Sequence, residues 1–100
     1  MARYKVEFSK QANTRFLQIV NYLSENWSVK VAIAFQKTLF EKLGKIAENP
    51  KVGKPSVKNK GFRSILITEH NRAYYKITGK IIYIITIFDT RQNPSKNKFE

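Results

Sequence analysis

Tyr4, Val6 and Phe8 alternate with Arg3, Lys5 and Glu7, and that period of two predicts a short strand with one apolar face. Ser9 follows where a helix should start, with a hydroxyl able to accept from a backbone N–H that has no carbonyl partner. Phe16, Val20, Leu23 and Trp27 then recur at spacings of four, three and four, which is one face of an amphipathic helix. Asn26 and Ser28 interrupt the pattern. Ser28 is placed to cap a second helix, whose apolar stripe is Phe35, Leu39, Leu43 and Ile46. So short a connection predicts an antiparallel helix hairpin.

The second helix should stop at Asn49–Pro50, because the residue before a proline disfavours helix. From there to Gly61 the chain reads NPKVGKPSVKNKG, with two prolines, two glycines and four lysines, a loop too short to be a domain linker. Three strands are expected next: Phe62 to Thr68, Arg72 to Ile77 and Ile81 to Phe88. Glu69–His70–Asn71 and Thr78–Gly79–Lys80 form the turns, and Gly79 is free to adopt positive φ. The third strand is apolar almost throughout, as a strand covered on both faces should be. The predicted fold is α+β, in the order β-α-α-β-β-β. Its helix hairpin packs on one face of a mostly antiparallel four-stranded sheet, and the other face is left for a partner or ligand. Residues 1–94 form a single domain, and residues 95–100 are a polar tail expected to fray.

One hundred residues with 42% hydrophobic side chains suffice for one packed core, with little to spare. Cysteine is absent, which excludes disulfides, thiolate metal sites and cysteine nucleophiles. The start MARYKVEFSK lacks the apolar core of a signal peptide, and the longest apolar run, Ile81 to Ile85, cannot span a bilayer. The expectation is a soluble, cytoplasmic protein without a membrane partner. Charge alters this ordinary picture. Nineteen Lys and Arg against seven Asp and Glu give +12, with +4 in residues 1–49 and +8 in residues 50–100. Solubility alone needs only about 2–8 charges, so a polyanion or an acidic protein is the expected partner.

The inventory for catalysis is short. The single histidine, His70, sits in a turn beside Glu69 and Asn71, a position more often structural than catalytic, although its ordinary pKa suits proton transfer. No set of His, Cys and carboxylate side chains is spaced for a metal, so neither metal nor cofactor is expected. The phosphate-binding loop GxxxxGK is missing, as is the strained Gly-x-Ser-x-Gly turn of a serine hydrolase. What remains is cationic and aromatic. On the second strand of the meander Arg72, Tyr74 and Lys76 share one face, while Ala73, Tyr75 and Ile77 share the other. The apolar set should meet the helices, leaving Arg72, Tyr74 and Lys76 on the open face. Arg63 and Arg91 are expected to converge there, with Lys51, Lys54, Lys58 and Lys60 at the margin. A basic concavity with an embedded tyrosine can hold phosphates and stack a base.

The element order, the NPKVGKP stretch closing the hairpin, Gly61–Phe62–Arg63 opening a strand and the run HNRAYYKITGKIIYIITIFDTRQNP together resemble the RelE/ParE superfamily of toxins. The similarity covers the chain to Pro94. It implies the toxin of a type II toxin–antitoxin (plasmid-stabilisation) module, one that arrests growth. The implied partner is an acidic antitoxin from the neighbouring gene, forming a toxin–antitoxin hetero-oligomer. ParE-like members inhibit DNA gyrase and need only a binding surface, here Lys58, Lys60, Arg72, Tyr74 and Lys76. RelE-like members instead cut mRNA on the ribosome without a metal. In that reading Arg63 and Arg91 match positions of phosphate-binding or catalytic arginines, supplemented by Lys58 and Lys60. The sequence departs from the nuclease pattern in its tail, where Asn93, Asn97 and Phe99 stand in place of the usual tyrosine or histidine. Gyrase inhibition is therefore the favoured expectation and mRNA cleavage the alternative. A third reading is a non-catalytic nucleic-acid-binding protein or an inactive relative.

Overall fold

Local signals set the helices. In the computed structural model, which describes residues 3–58 and 60–89, the first helix α1 (Lys10–Asn26) begins at Ser9, whose Oγ accepts from the Ala12 N–H at 3.0 Å. The second, α2 (Val29–Glu48), begins at Ser28 in the same way, with the Val31 N–H at 3.1 Å. Both caps satisfy donors that no helical carbonyl reaches. α2 ends one residue before Asn49–Pro50, as the proline requires. Phe35, Leu39, Leu43 and Ile46 are all buried, which fits the predicted stripe. On α1 the stripe is only partly inside: Phe16, Val20 and Leu23 pack against the core, but Trp27 is 66% exposed. It lies one residue past the last helical turn, so the period that placed Leu23 no longer governs it.

Five strands form one sheet in the order β1-β5-β4-β3-β2, one more than the four expected. They are β1 (Lys5–Phe8), β2 (Lys54–Pro55), β3 (Phe62–Thr68), β4 (Asn71–Thr78) and β5 (Ile81–Asp89). The additional strand is β2, which pairs Lys54 with Ser64 and Pro55 with Arg63 and is too short to show periodicity. β3, β4 and β5 form the predicted meander, turning at Glu69–His70 and, with Gly79 at φ 59°, at Gly79–Lys80. The hairpin carries the chain from β1 at one edge to β2 at the other, and the three antiparallel reversals from β2 to β5 bring β5 beside β1 in parallel.

The hairpin covers one face. Val6, Phe8, Ile67, Ala73, Tyr75, Ile82, Ile84 and Ile87 of the sheet meet Ala12, Phe16, Phe35, Leu39, Leu43 and Ile46 of the helices. Ile84 and Ile87 share that face although they are three residues apart, because the register slips between Tyr74 and Tyr75 and leaves Ile85 as an extra residue on β5. Such a bulge restores the apolar face after an odd step. Ser9 sits against it, taking its own N–H to the Ile84 carbonyl at 2.9 Å and its Oγ to the Ile85 carbonyl at 2.6 Å. A single serine thus starts α1 and fastens it to the bulge.

Candidate functional site

Alternation along β4 decides which side chains reach the open face. Arg72, Tyr74 and Lys76 lie on the side away from the helices, as predicted. Their cross-strand neighbours are Leu66, Ser64 and Phe62 on β3, and Phe88, Thr86 and Tyr83 on β5. Lys54 on β2 pairs with Ser64 and joins the same face. Lys76 is exposed, with half-buried Phe62 on one side and Tyr83 on the other. Arg72 donates from Nη1 to Ser64 Oγ at 2.9 Å. This row of cations with aromatic neighbours is a candidate contact surface.

Two predicted members of that surface are placed differently. Tyr74 has no exposed surface at all. It stands at the middle of the sheet between the buried side chains of Ser64 and Thr86, so its ring is not available to stack on a base. Arg63 pairs with Tyr75 rather than Tyr74, and the pleat therefore turns it to the helix side. There its Nη1 donates to the carbonyls of Gly53 at 2.7 Å and Lys51 at 3.2 Å. Arg63 and Arg72 do not converge. Arg91 lies outside the described residues, as do Asn93, Asn97, Phe99 and the 95–100 tail. Lys58 and Lys60 are exposed in the loop that leads into β3.

Arg63 belongs to a fastening that holds this loop down. The Tyr75 hydroxyl accepts from the Gly53 N–H at 3.0 Å and donates to the Pro50 carbonyl at 2.7 Å. Burial raises the Tyr75 pKa, while the Gly53 hydrogen bond and the nearby Arg63 charge pull it down by less. The packing is close at Gly53, where a Cβ would stand 2.9 Å from the Ser64 carbonyl and 2.8 Å from Tyr75 Cε1. Only glycine fits.

His70 lies at the opposite end of β3, with Nε2 3.4 Å from Glu69 Oε1. Arg63 and Thr68 alone are separated by about 17 Å of strand, so His70 and Arg63 cannot act on one phosphate. Among the described residues no group of three His, Cys, Asp or Glu side chains is arranged to hold a metal. No helix among them is long and apolar enough to cross a membrane.

The sequence reading placed Lys54 at the margin of the basic row and missed Phe62 and Tyr83 as its neighbours. The alternation of the last strand carried the signal for Tyr83, but the continuous apolar run of Ile81 to Ile85 hid it. For Lys54 the loop charge was readable but its strand and face were not, because a two-residue strand has no period.

A family model described as ParE toxin of type II toxin-antitoxin system, parDE, matches residues 6–94. No match was found among curated protein sequences. Among solved structures, the chromosomal ParDE toxin–antitoxin system of P. aeruginosa is similar, with a TM-score of 0.76 at 14% identity, covering 91% of this chain and 100% of the other. The RelBE2 toxin–antitoxin complex of Mycobacterium tuberculosis has a TM-score of 0.61 at 20% identity, with 87% and 98% covered. The E. coli DinJ–YafQ toxin–antitoxin complex has 0.60 at 16%, with 89% and 93% covered. At these identities the structures establish the shared fold.

Proposed function

We propose, from the premise that this chain belongs to the ParE toxin family of type II toxin–antitoxin systems, that it arrests growth by inhibiting DNA gyrase through binding alone. The observation that carries this reading is the engagement of Arg63. Its guanidinium faces the helix side, where Nη1 donates to the Gly53 and Lys51 carbonyls and ties it to the loop. Cleavage of RNA at the 2′-hydroxyl needs one group to take a proton, one to give a proton and cations on the phosphate, all within reach of one another. Among the described residues Arg63, His70 and the Arg72–Lys76 row stand at separate places. A binder needs no such convergence.

In this reading the contact surface is Arg72, Lys76 and Lys54 on the open face, extended by Lys58 and Lys60 in the loop. Tyr74 supports that face from within. The antitoxin is an acidic protein whose segment neutralises the same cations and buries the adjoining Phe62 and Tyr83. It is encoded by the neighbouring gene.

The test is a supercoiling assay with purified gyrase, run beside cell-free translation in which message length is followed by primer extension. The expected result is lost supercoiling with intact message, and at least tenfold weaker inhibition by the variant R72A/K76A. Discrete cuts within translated message, with supercoiling untouched, would replace this reading by ribosome-dependent cleavage. In that case Arg91→Ala should abolish killing while antitoxin binding persists.

A further inference from the structure

β1 is an edge strand with half of its backbone unused. In its parallel pairing with β5, the N–H groups of Lys5 and Ser9 go to the Lys80 and Ile84 carbonyls. Alternation therefore turns the backbone groups of Tyr4, Val6 and Phe8 outward. Tyr4 gives its N–H to the Ala47 carbonyl at 3.1 Å. Among the described residues nothing takes the N–H groups of Val6 and Phe8 or the carbonyls of Tyr4 and Val6, which leaves them for another strand.

A groove of about 330 Å³ runs along this edge, lined by Tyr4, Val6, Phe8, Phe40, Leu43 and Gly44 among others. Phe40 is 55% exposed there, although its ring lies 6.0 Å from Phe16, which itself packs edge-on against Phe8. An aromatic ring left half in water beside unpaired strand backbone marks a contact surface.

We propose that this edge pairs with the same strand of a second copy of the chain, antiparallel and about a two-fold axis at Val6. The sequence of the edge selects that arrangement. With Val6 opposite Val6, Lys5 of each copy faces Glu7 of the other on the open face, and Tyr4 faces Phe8 on the helix side. Centring the axis on Lys5 would oppose two lysines, and centring it on Glu7 would oppose two carboxylates. Like charges directly opposite are unfavourable and unlike charges favourable. The Val6 register also uses the free groups: Val6 N–H to Val6 carbonyl in both directions, and Phe8 N–H to Tyr4 carbonyl in both directions. Within one copy Lys5 Nζ and Glu7 Oε2 already lie 3.2 Å apart, and the second copy extends that pair into a four-charge row.

An axis perpendicular to the sheet keeps both helix hairpins on one face of a continuous sheet. It brings the two Phe40 rings toward the facing grooves. Gly44 permits a close approach of the two α2 helices, since a Cβ there would touch only Arg3 Nη2. The net charge of +12 on each copy works against association, so the dimer should tighten as salt rises. An acidic strand binding the same edge would loosen instead, since salt screens its attraction.

The experiment is sedimentation velocity on the purified full chain between 0.1 and 0.5 M salt, roughly one Debye length of about 10 Å down to half of it. A dimer strengthened by salt is expected. Both K5E and E7K put like charges face to face and should weaken it at least tenfold. The double variant K5E/E7K restores the pairing, as does mixing the two single variants, which should form a mixed dimer. Recovery in the double variant also shows that the singles failed through charge and not through misfolding. A monomer at every salt concentration would overturn the proposal. So would a dimer indifferent to these variants, or an edge occupied only by an acidic partner protein.

Discussion

Replacing Tyr75 by phenylalanine removes one oxygen and keeps the ring that packs in the core. That oxygen holds two backbone groups of the loop after α2, accepting from Gly53 N–H and donating to the Pro50 carbonyl. The Gly53 bond is buried, and an unsatisfied buried donor costs about 1–3 kcal/mol. The Pro50 bond is partly accessible and contributes a net of about 0.5–1.5 kcal/mol. Together they predict a loss of about 2–4 kcal/mol, a large share of the roughly 5–15 kcal/mol that holds a domain together. The midpoint of thermal unfolding should fall by about 10–25 °C. Urea unfolding measures the same loss at constant m, with Tyr22→Phe as the control, because Tyr22 is 49% exposed. A loss below about 0.5 kcal/mol would refute the account, because the loop would then be held by something other than this hydroxyl. The pH profile adds a second check. Burial favours the neutral phenol and raises its pKa above the ordinary 10.0. A raised folded-state pKa gives stability that is complete below the unfolded value and lost as pH climbs through the folded one. The natural protein should therefore lose its advantage over Tyr75→Phe above pH 10, and the two should converge.

Two further outcomes follow from the same geometry. Ser9→Ala removes both the helix cap and the bond to the Ile85 bulge, so it should cost about 2 kcal/mol by urea unfolding. Ser28→Ala removes only an exposed cap and should cost about 0.5–1 kcal/mol; equal costs would deny Ser9 its second role. Arg63→Ala should lower stability and couple with Tyr75→Phe by at least about 0.5 kcal/mol in a double-mutant cycle, since both hold the loop at Gly53. Killing by Arg63→Ala should track its stability; killing lost with the fold unchanged would return Arg63 to a chemical role.

The parts of this fold that were legible in the sequence are those set within a turn or two of chain. Ser9 and Ser28 read as caps because their hydroxyls act on residues three positions away. The α2 stripe and the meander read correctly for the same reason, since period and turn residues are local. The reading failed where distance in sequence was large. β2 exists because Lys54 and Pro55 meet β3, not because of any pattern of their own. Trp27 fell off its stripe when the helix ended before it. The faces of β4 were assigned correctly from alternation, yet the exposure of Tyr74 was not, because alternation gives a direction and not what covers it.

The basic row shows the same division. Lys76 and Arg72 share a face because they are two residues apart, and that much is arithmetic. Arg63 was grouped with them as a cation on the neighbouring strand, whereas pairing opposite Tyr75 turns it away. An arginine within reach of backbone carbonyls that lack other donors will bind them, since its five fixed donors need acceptors as much as the carbonyls need donors. Two such carbonyls lie beside it, on Lys51 and Gly53. The Gly53 N–H and the Pro50 carbonyl turn instead to Tyr75. The residue with the strongest sequence claim to chemistry is thus held by the loop it was expected to share a site with. That loop carries Lys54 to the open face beside Ser64, so the engagement of Arg63 on one side of the sheet sets the position of a cation offered on the other.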